Sequence, residues 1–126
     1  MIYLKVPLIA LLSVFLGCQD YNSNTFDEDR YGKLDLEQTS TKFEPAYRVL
    51  QKRCISCHTH ATWAEYKNER DWENQGLVVV GFPNQSSLIR RTINSGVAGA
   101  DMPYGGGAIP KEEYDALTNW ITGPWP

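Results

Sequence analysis

An all-α domain built of short helices is the fold class that residues 42–126 predict, and three observations predict it. Near the start of this stretch apolar residues recur at three- and four-residue intervals, at Phe43, Ala46, Tyr47 and Leu50, the stripe of a helix that buries one side. A second stripe near the end, Leu117, Trp120 and Ile121, is bracketed by Pro110 and by Gly123-Pro124, residues that open and stop helices. Between them the β-branched run Gly76-Leu77-Val78-Val79-Val80-Gly81 is short and bounded by glycine, so it reads as a single extended segment.

Taken in order, the first helix spans residues 42–53 and runs directly into Cys54. Residues 62–73 read as a second helix, with Trp63, Tyr66 and Trp72 turned inward. After the 76–81 segment, Phe82-Pro83-Asn84 turns the chain. Ser86 is placed as the N-cap of a helix over 87–94, with Leu88, Ile89 and Ile93 as its apolar residues, and Ser95-Gly96 ends it. Residues 99–107 form a glycine-rich loop, and a last helix runs from Pro110 through Thr122. A core of this size is marginal unaided and calls for a staple.

The staple is legible at the end of the first helix. Cys54-Ile55-Ser56-Cys57-His58 is a C-x-x-C-H element, a spacing suited to covalent haem attachment. Cysteines three apart sit on one side of a helical turn, so both thiols reach the two vinyl groups of one porphyrin. The adjacent histidine then falls under the metal as a ligand to iron. Two other chemistries compete for the same residues. A thiol–disulfide catalyst needs a βαβ frame, and no such strand pattern precedes the motif. Zinc on Cys54, Cys57, His58 and His60 would crowd its ligands into one short stretch with no distant pair to close the tetrahedron.

The chain has 126 residues, 42% of them apolar and 21% charged, the composition of one small globular domain. A net charge of −3 with no basic stripe argues against nucleic acid as a partner. The N-terminus is of another kind: Lys5 is its only charge, and residues 6–16 form an apolar core, too short to span a bilayer and the right size for a signal peptide. Phe15-Leu16-Gly17-Cys18 resembles the bacterial lipoprotein signal, in which the cysteine after a small residue receives the lipid. That resemblance implies cleavage after residue 17, lipidation of Cys18 and a membrane anchor on the periplasmic side of a bacterial membrane. Removing residues 1–17 takes away Lys5 and no acid, moving the net charge from −3 to −4. Residues 18–41 are polar and acidic and read as a flexible tether, in which Tyr31, Leu34 and Leu36 are the residues able to pack on the domain.

Signal cleavage removes Met1 and leaves Met102 as the only methionine. It lies in the loop Asp101-Met102-Pro103-Tyr104-Gly105-Gly106-Gly107, where Pro103 stiffens the backbone and the glycines let the chain pass close to a flat ligand. In order and motif, residues 42–126 resemble the class I cytochromes c: a helix with Ala46 and Leu50, then Cys54-x-x-Cys57-His58, then Met102-Pro103, then a last helix with Leu117 and Trp120-Ile121. The pattern Gly76-Leu77-Val78, Pro83-x-x-Ser86-x-Leu88, Met102-Pro103 and Trp120-Ile121-x-Gly123 also looks like a bacterial branch of small membrane-associated cytochrome domains. The resemblance implies one covalent haem c attached through Cys54 and Cys57, with His58 as proximal and Met102 as distal ligand. It also implies that the first and last helices cross, with Ala46 on one against Trp120 on the other. Two departures stand out: Ile109 occupies the place of the family's Ser/Thr cap on the last helix, and the interval from Trp63 to Glu73 matches nothing diagnostic.

The expected activity is one-electron transfer between redox partner proteins, without a small-molecule substrate and without catalysis. Tyr104, Arg90, Arg91, Trp63 and Trp72 are the candidates for binding the haem propionates. The alternative is a haem-based sensor or ligand-binding domain, which requires Met102 to be labile on iron.

Overall fold

The computed structural model describes residues 32–58 and 62–126. It is helical: apart from one isolated parallel bridge between Thr92 and Met102, no β pairing occurs among the described residues. Among the described residues the α-helices are α1 (Phe43–Leu50), α2 (Glu69–Asn74), α3 (Ser87–Arg90) and α4 (Lys111–Thr122). Cys18 and His60 lie outside the described residues, and no helix within them is long and apolar enough to cross a membrane.

The core forms where α1 packs on α4. Phe43, Ala46, Tyr47 and Leu50 from α1, and Leu117, Trp120 and Ile121 from α4, are fully buried. The Phe43 ring lies 5.5 Å from Trp120 and 5.5 Å from Tyr47. Each such side chain contributes about 1.5–3 kcal/mol by leaving water, against about 0.2–1 kcal/mol for a surface ion pair such as Arg70–Glu73. Apolar burial at this crossing therefore decides the arrangement. Trp125 folds back over α4, stacked on Trp120 at 5.5 Å with its indole N–H donating to the Trp120 carbonyl at 2.8 Å. Gly123 makes that reversal with φ of 77°, a conformation that favours glycine.

Three local expectations are corrected and one, the Ser86 cap, is met in position only. The helix read over 62–73 is broken: a 3₁₀ turn spans Trp63–Glu65, and α2 begins after Asn68. The Asn68 side chain accepts from the Asp71 N–H at 3.1 Å while the Asp71 carboxylate accepts from the Asn68 N–H at 3.2 Å, a capping box that starts a new helix. The 76–81 run is irregular and unpaired; Val78 is buried but Val79 is exposed, and the Gly81 N–H donates to Ile121 at 2.8 Å. Ser86 stands at the N-cap of α3, as its place in the sequence predicts, but makes no side-chain cap bond, because its hydroxyl accepts from the Val79 N–H at 2.9 Å and donates to Phe82 at 3.1 Å. The helix read over 87–94 stops at Arg90, and Ile93 is 38% exposed. The backbone of Arg91 and Ile93 is bonded to Met102 instead of continuing the spiral.

The packed body also begins earlier than residue 42. Leu34 is buried, the Asp35 N–H donates to the Lys67 carbonyl at 3.2 Å, and the Ser40 hydroxyl donates to the buried Glu69 carboxylate. The described part of the tether thus straps onto α2.

Candidate functional site

The three residues of the C-x-x-C-H element are gathered by one local device. α1 continues as a π-turn over Gln51–Ile55, a widened helical turn that recurs at functional sites. Cys54 lies inside it, and Ile55 anchors it, fully buried. The N–H groups of Cys57 and His58 both donate to the Cys54 carbonyl, at 3.1 and 3.0 Å. Two thiols and an imidazole therefore belong to a single turn wrapped around one acceptor. Both thiols are free; Cys57 is exposed and Cys54 half-buried. Burial, reinforced by the neighbouring Cys57 and opposed by Arg53, pushes the Cys54 thiol up to about 12.

The turn is tied to α4 by charge. Arg53 grips Glu113 with two bonds, Nε to Oε2 at 2.6 Å and Nη2 to Oε1 at 3.1 Å, and Lys52 adds a third at 2.8 Å. Partial burial pushes the Glu113 carboxyl up, but the bonds from Arg53 and Lys52 outweigh it and its pKa is lowered. Sequence reading missed this clamp; its members lie on different helices, and no local pattern joins them.

On the other side of the turn the His58 imidazole stacks on Trp63, with centroids 4.1 Å apart and planes at 7°. Trp63 meets Trp72 edge-on at 5.4 Å, and Trp72 meets Trp120 the same way at 6.3 Å. Among the described residues, the buried Trp72 indole N–H and the buried Gln51 side-chain amide nitrogen find no hydrogen-bond partner. Of the candidates named for an anionic group, Trp72 is thus buried with its donor free of partners among the described residues, while Arg90, Arg91 and Tyr104 face solvent.

Met102 comes from a separate region. It is half-buried on the loop between α3 and α4, where its N–H donates to Arg91 at 3.0 Å and its carbonyl accepts from the Ile93 N–H at 2.8 Å. Different elements position His58 and Met102: a helical turn for the first, a backbone pairing to residues 91–93 for the second. Among the described residues, no three or more of His, Cys, Asp and Glu cluster to hold a metal ion.

Compared with known protein families, curated proteins and solved structures, the chain matches none.

Proposed function

We propose that this chain is an exported, lipid-anchored electron carrier with a class I cytochrome c domain. One haem c is attached through Cys54 and Cys57, with His58 as proximal and Met102 as distal ligand. The observation that carries this reading is the turn in which Cys57 and His58 both close on the Cys54 carbonyl, presenting two free thiols and an imidazole from one backbone acceptor. The donor set fits a haem: two thiols for thioethers, one imidazole, one thioether sulfur, and in Trp72 a buried N–H without a partner among the described residues, suited to a propionate carboxylate. When bound, haem supplies a one-electron Fe(III)/Fe(II) couple.

The chain's residues fix that group and exclude other chemistry. Cys54 and Cys57 hold it irreversibly, so it supplies the staple that so short a domain needs. His58, backed by the Trp63 face, keeps its imidazole in one orientation. Met102 would offer the bound iron a soft thioether donor, which favours the reduced metal and would compete with any added ligand. Cys18 carries the lipid that keeps the domain on the periplasmic side of a bacterial membrane, within reach of redox partner proteins. Absorption spectra of the purified mature protein, oxidised and reduced, test the reading. They should show the bands of a low-spin c-type haem, including the weak far-red methionine–iron band when oxidised. A colourless protein, or haem that leaves in acidified organic solvent, would contradict it.

A further inference from the structure

Asn94 stands at the base of the loop that carries Met102. Its side-chain amide makes two hydrogen bonds to a single residue: Nδ2 donates to the Ile109 carbonyl, and the Ile109 N–H donates to Oδ1, each at 2.7 Å. Ile109 is buried and immediately precedes Pro110, the N-cap residue of α4. Its N–H is therefore satisfied across the loop, at the position where the sequence departs from the Ser/Thr cap. A second clasp lies close by, where Arg91 and Ile93 hold the Met102 backbone. Residues 91–94 thus form a short spine bearing both fastenings, one backbone to backbone at Met102 and one through Asn94 to Ile109.

The intervening chain needs both. Gly96, Gly99, Gly105 and Gly107 all adopt positive φ, and glycine gives the backbone more freedom than any other residue. With the Met102 clasp alone, the return from Pro103 to Ala108 would swing on one end. A side-chain amide that satisfies both main-chain groups of Ile109 fixes the other end in position and direction together.

We infer that Asn94 is a positioning residue for the distal ligand: by holding Ile109 it restrains the return limb of the loop and so sets how readily Met102 leaves iron. This rests on the reading of Met102 as that ligand. The test is imidazole titration of the oxidised, haem-loaded protein, since imidazole competes with a methionine sulfur for ferric iron. Loss of two ordinary hydrogen bonds in Asn94→Ala should tighten apparent imidazole binding about tenfold, with a fall in reduction potential. Asn94→Ser is small enough to keep one bond at most, so about threefold or more is expected; this variant carries the test if the alanine protein does not accumulate. A merely structural role for Asn94 would lower the unfolding midpoint and leave the imidazole titration and potential where they were, and that result overturns the inference. Met102→Ala, run alongside, marks the open-site limit. A wild type titrating like Met102→Ala would refute methionine ligation itself, a result distinct from an unchanged Asn94→Ala.

Discussion

The turn bearing Cys54, Cys57 and His58 is held within itself, whereas the loop bearing Met102 is held from elsewhere. In the first region the backbone and hydrogen-bond fastenings are local with one exception: the π-turn continues α1, and two N–H groups close on one carbonyl within five residues of sequence. The exception is the Glu113 clamp to α4. In the second region the loop has short-range turns of its own, such as Gly106 N–H to the Pro103 carbonyl at 3.0 Å, but Met102 and the loop's end are fastened from outside it. Met102 takes its hydrogen bonds from Arg91 and Ile93, and the loop ends on the Asn94–Ile109 pair. The rigid side suits a permanent covalent attachment. The side built across a glycine-rich loop suits an axial ligand whose strength is adjusted by its surroundings.

The largest effect should come from removing the covalent half. In the double variant Cys54→Ala, Cys57→Ala the expected outcome is complete loss of haem from the denatured polypeptide, read by haem staining after denaturing electrophoresis. Next in size is the crossing that both regions share. Trp120 touches Phe43, Trp72 and Trp125 and is fully buried, so Trp120→Ala should cost about 3–5 kcal/mol in denaturant unfolding. Phe82→Ala, at a residue 56% exposed, should stay within about 0.5 kcal/mol, and a similar loss at both sites would dissolve the distinction between core and surface.

Within the C-x-x-C-H turn the two thiols should behave unequally in the haem-free chain. Burial, then the neighbouring Cys57, holds the Cys54 thiol at about 12 with Arg53 opposing, and Cys57 is exposed. The thiolate is the reactive form. Iodoacetamide labelling of the haem-free chain near pH 8, mapped by mass spectrometry, should therefore modify Cys57 at least about tenfold faster than Cys54. Equal rates would show that Cys54 is not shielded.

Apart from the Phe82 surface control, the smallest effect belongs to the clamp between the regions. Glu113→Gln should cost about 0.5–1 kcal/mol, because the group is partly exposed and screened. The Glu113 pKa is lower in the folded than in the unfolded chain. Its contribution is therefore complete above the ordinary glutamate range and is lost as pH falls through the lower, folded value. Stability measured across that acid window should fall less steeply in Glu113→Gln than in the wild type; parallel curves would show that the clamp contributes nothing.

What the sequence disclosed follows the same division. The α1 and α4 stripes and the C-x-x-C-H turn are legible because each is fixed by neighbours in sequence, through helical period or a five-residue spacing. The break before α2 was also legible, since Asn68-x-x-Asp71 is a visible capping pair; the Trp63–Tyr66–Trp72 spacing drew the helix across it. Thr92, Asn94 and the partners of the Ser86 hydroxyl were not legible. A serine before an apolar pair looks like a cap, and only the folded position of Val79 shows where its hydroxyl goes. Leu34 belongs with these, because one leucine in an acidic stretch carries no period to announce its burial.

The central claim is that Cys54 and Cys57 hold one haem by covalent bonds, and the intact mass of the exported chain, produced with cytochrome c maturation machinery and unfolded before analysis, tests it most directly. The account predicts a polypeptide heavier by one haem, with the added mass confined to the peptide spanning Cys54–His58. A mass equal to the mature chain without haem, and two alkylatable thiols in that peptide, would contradict it.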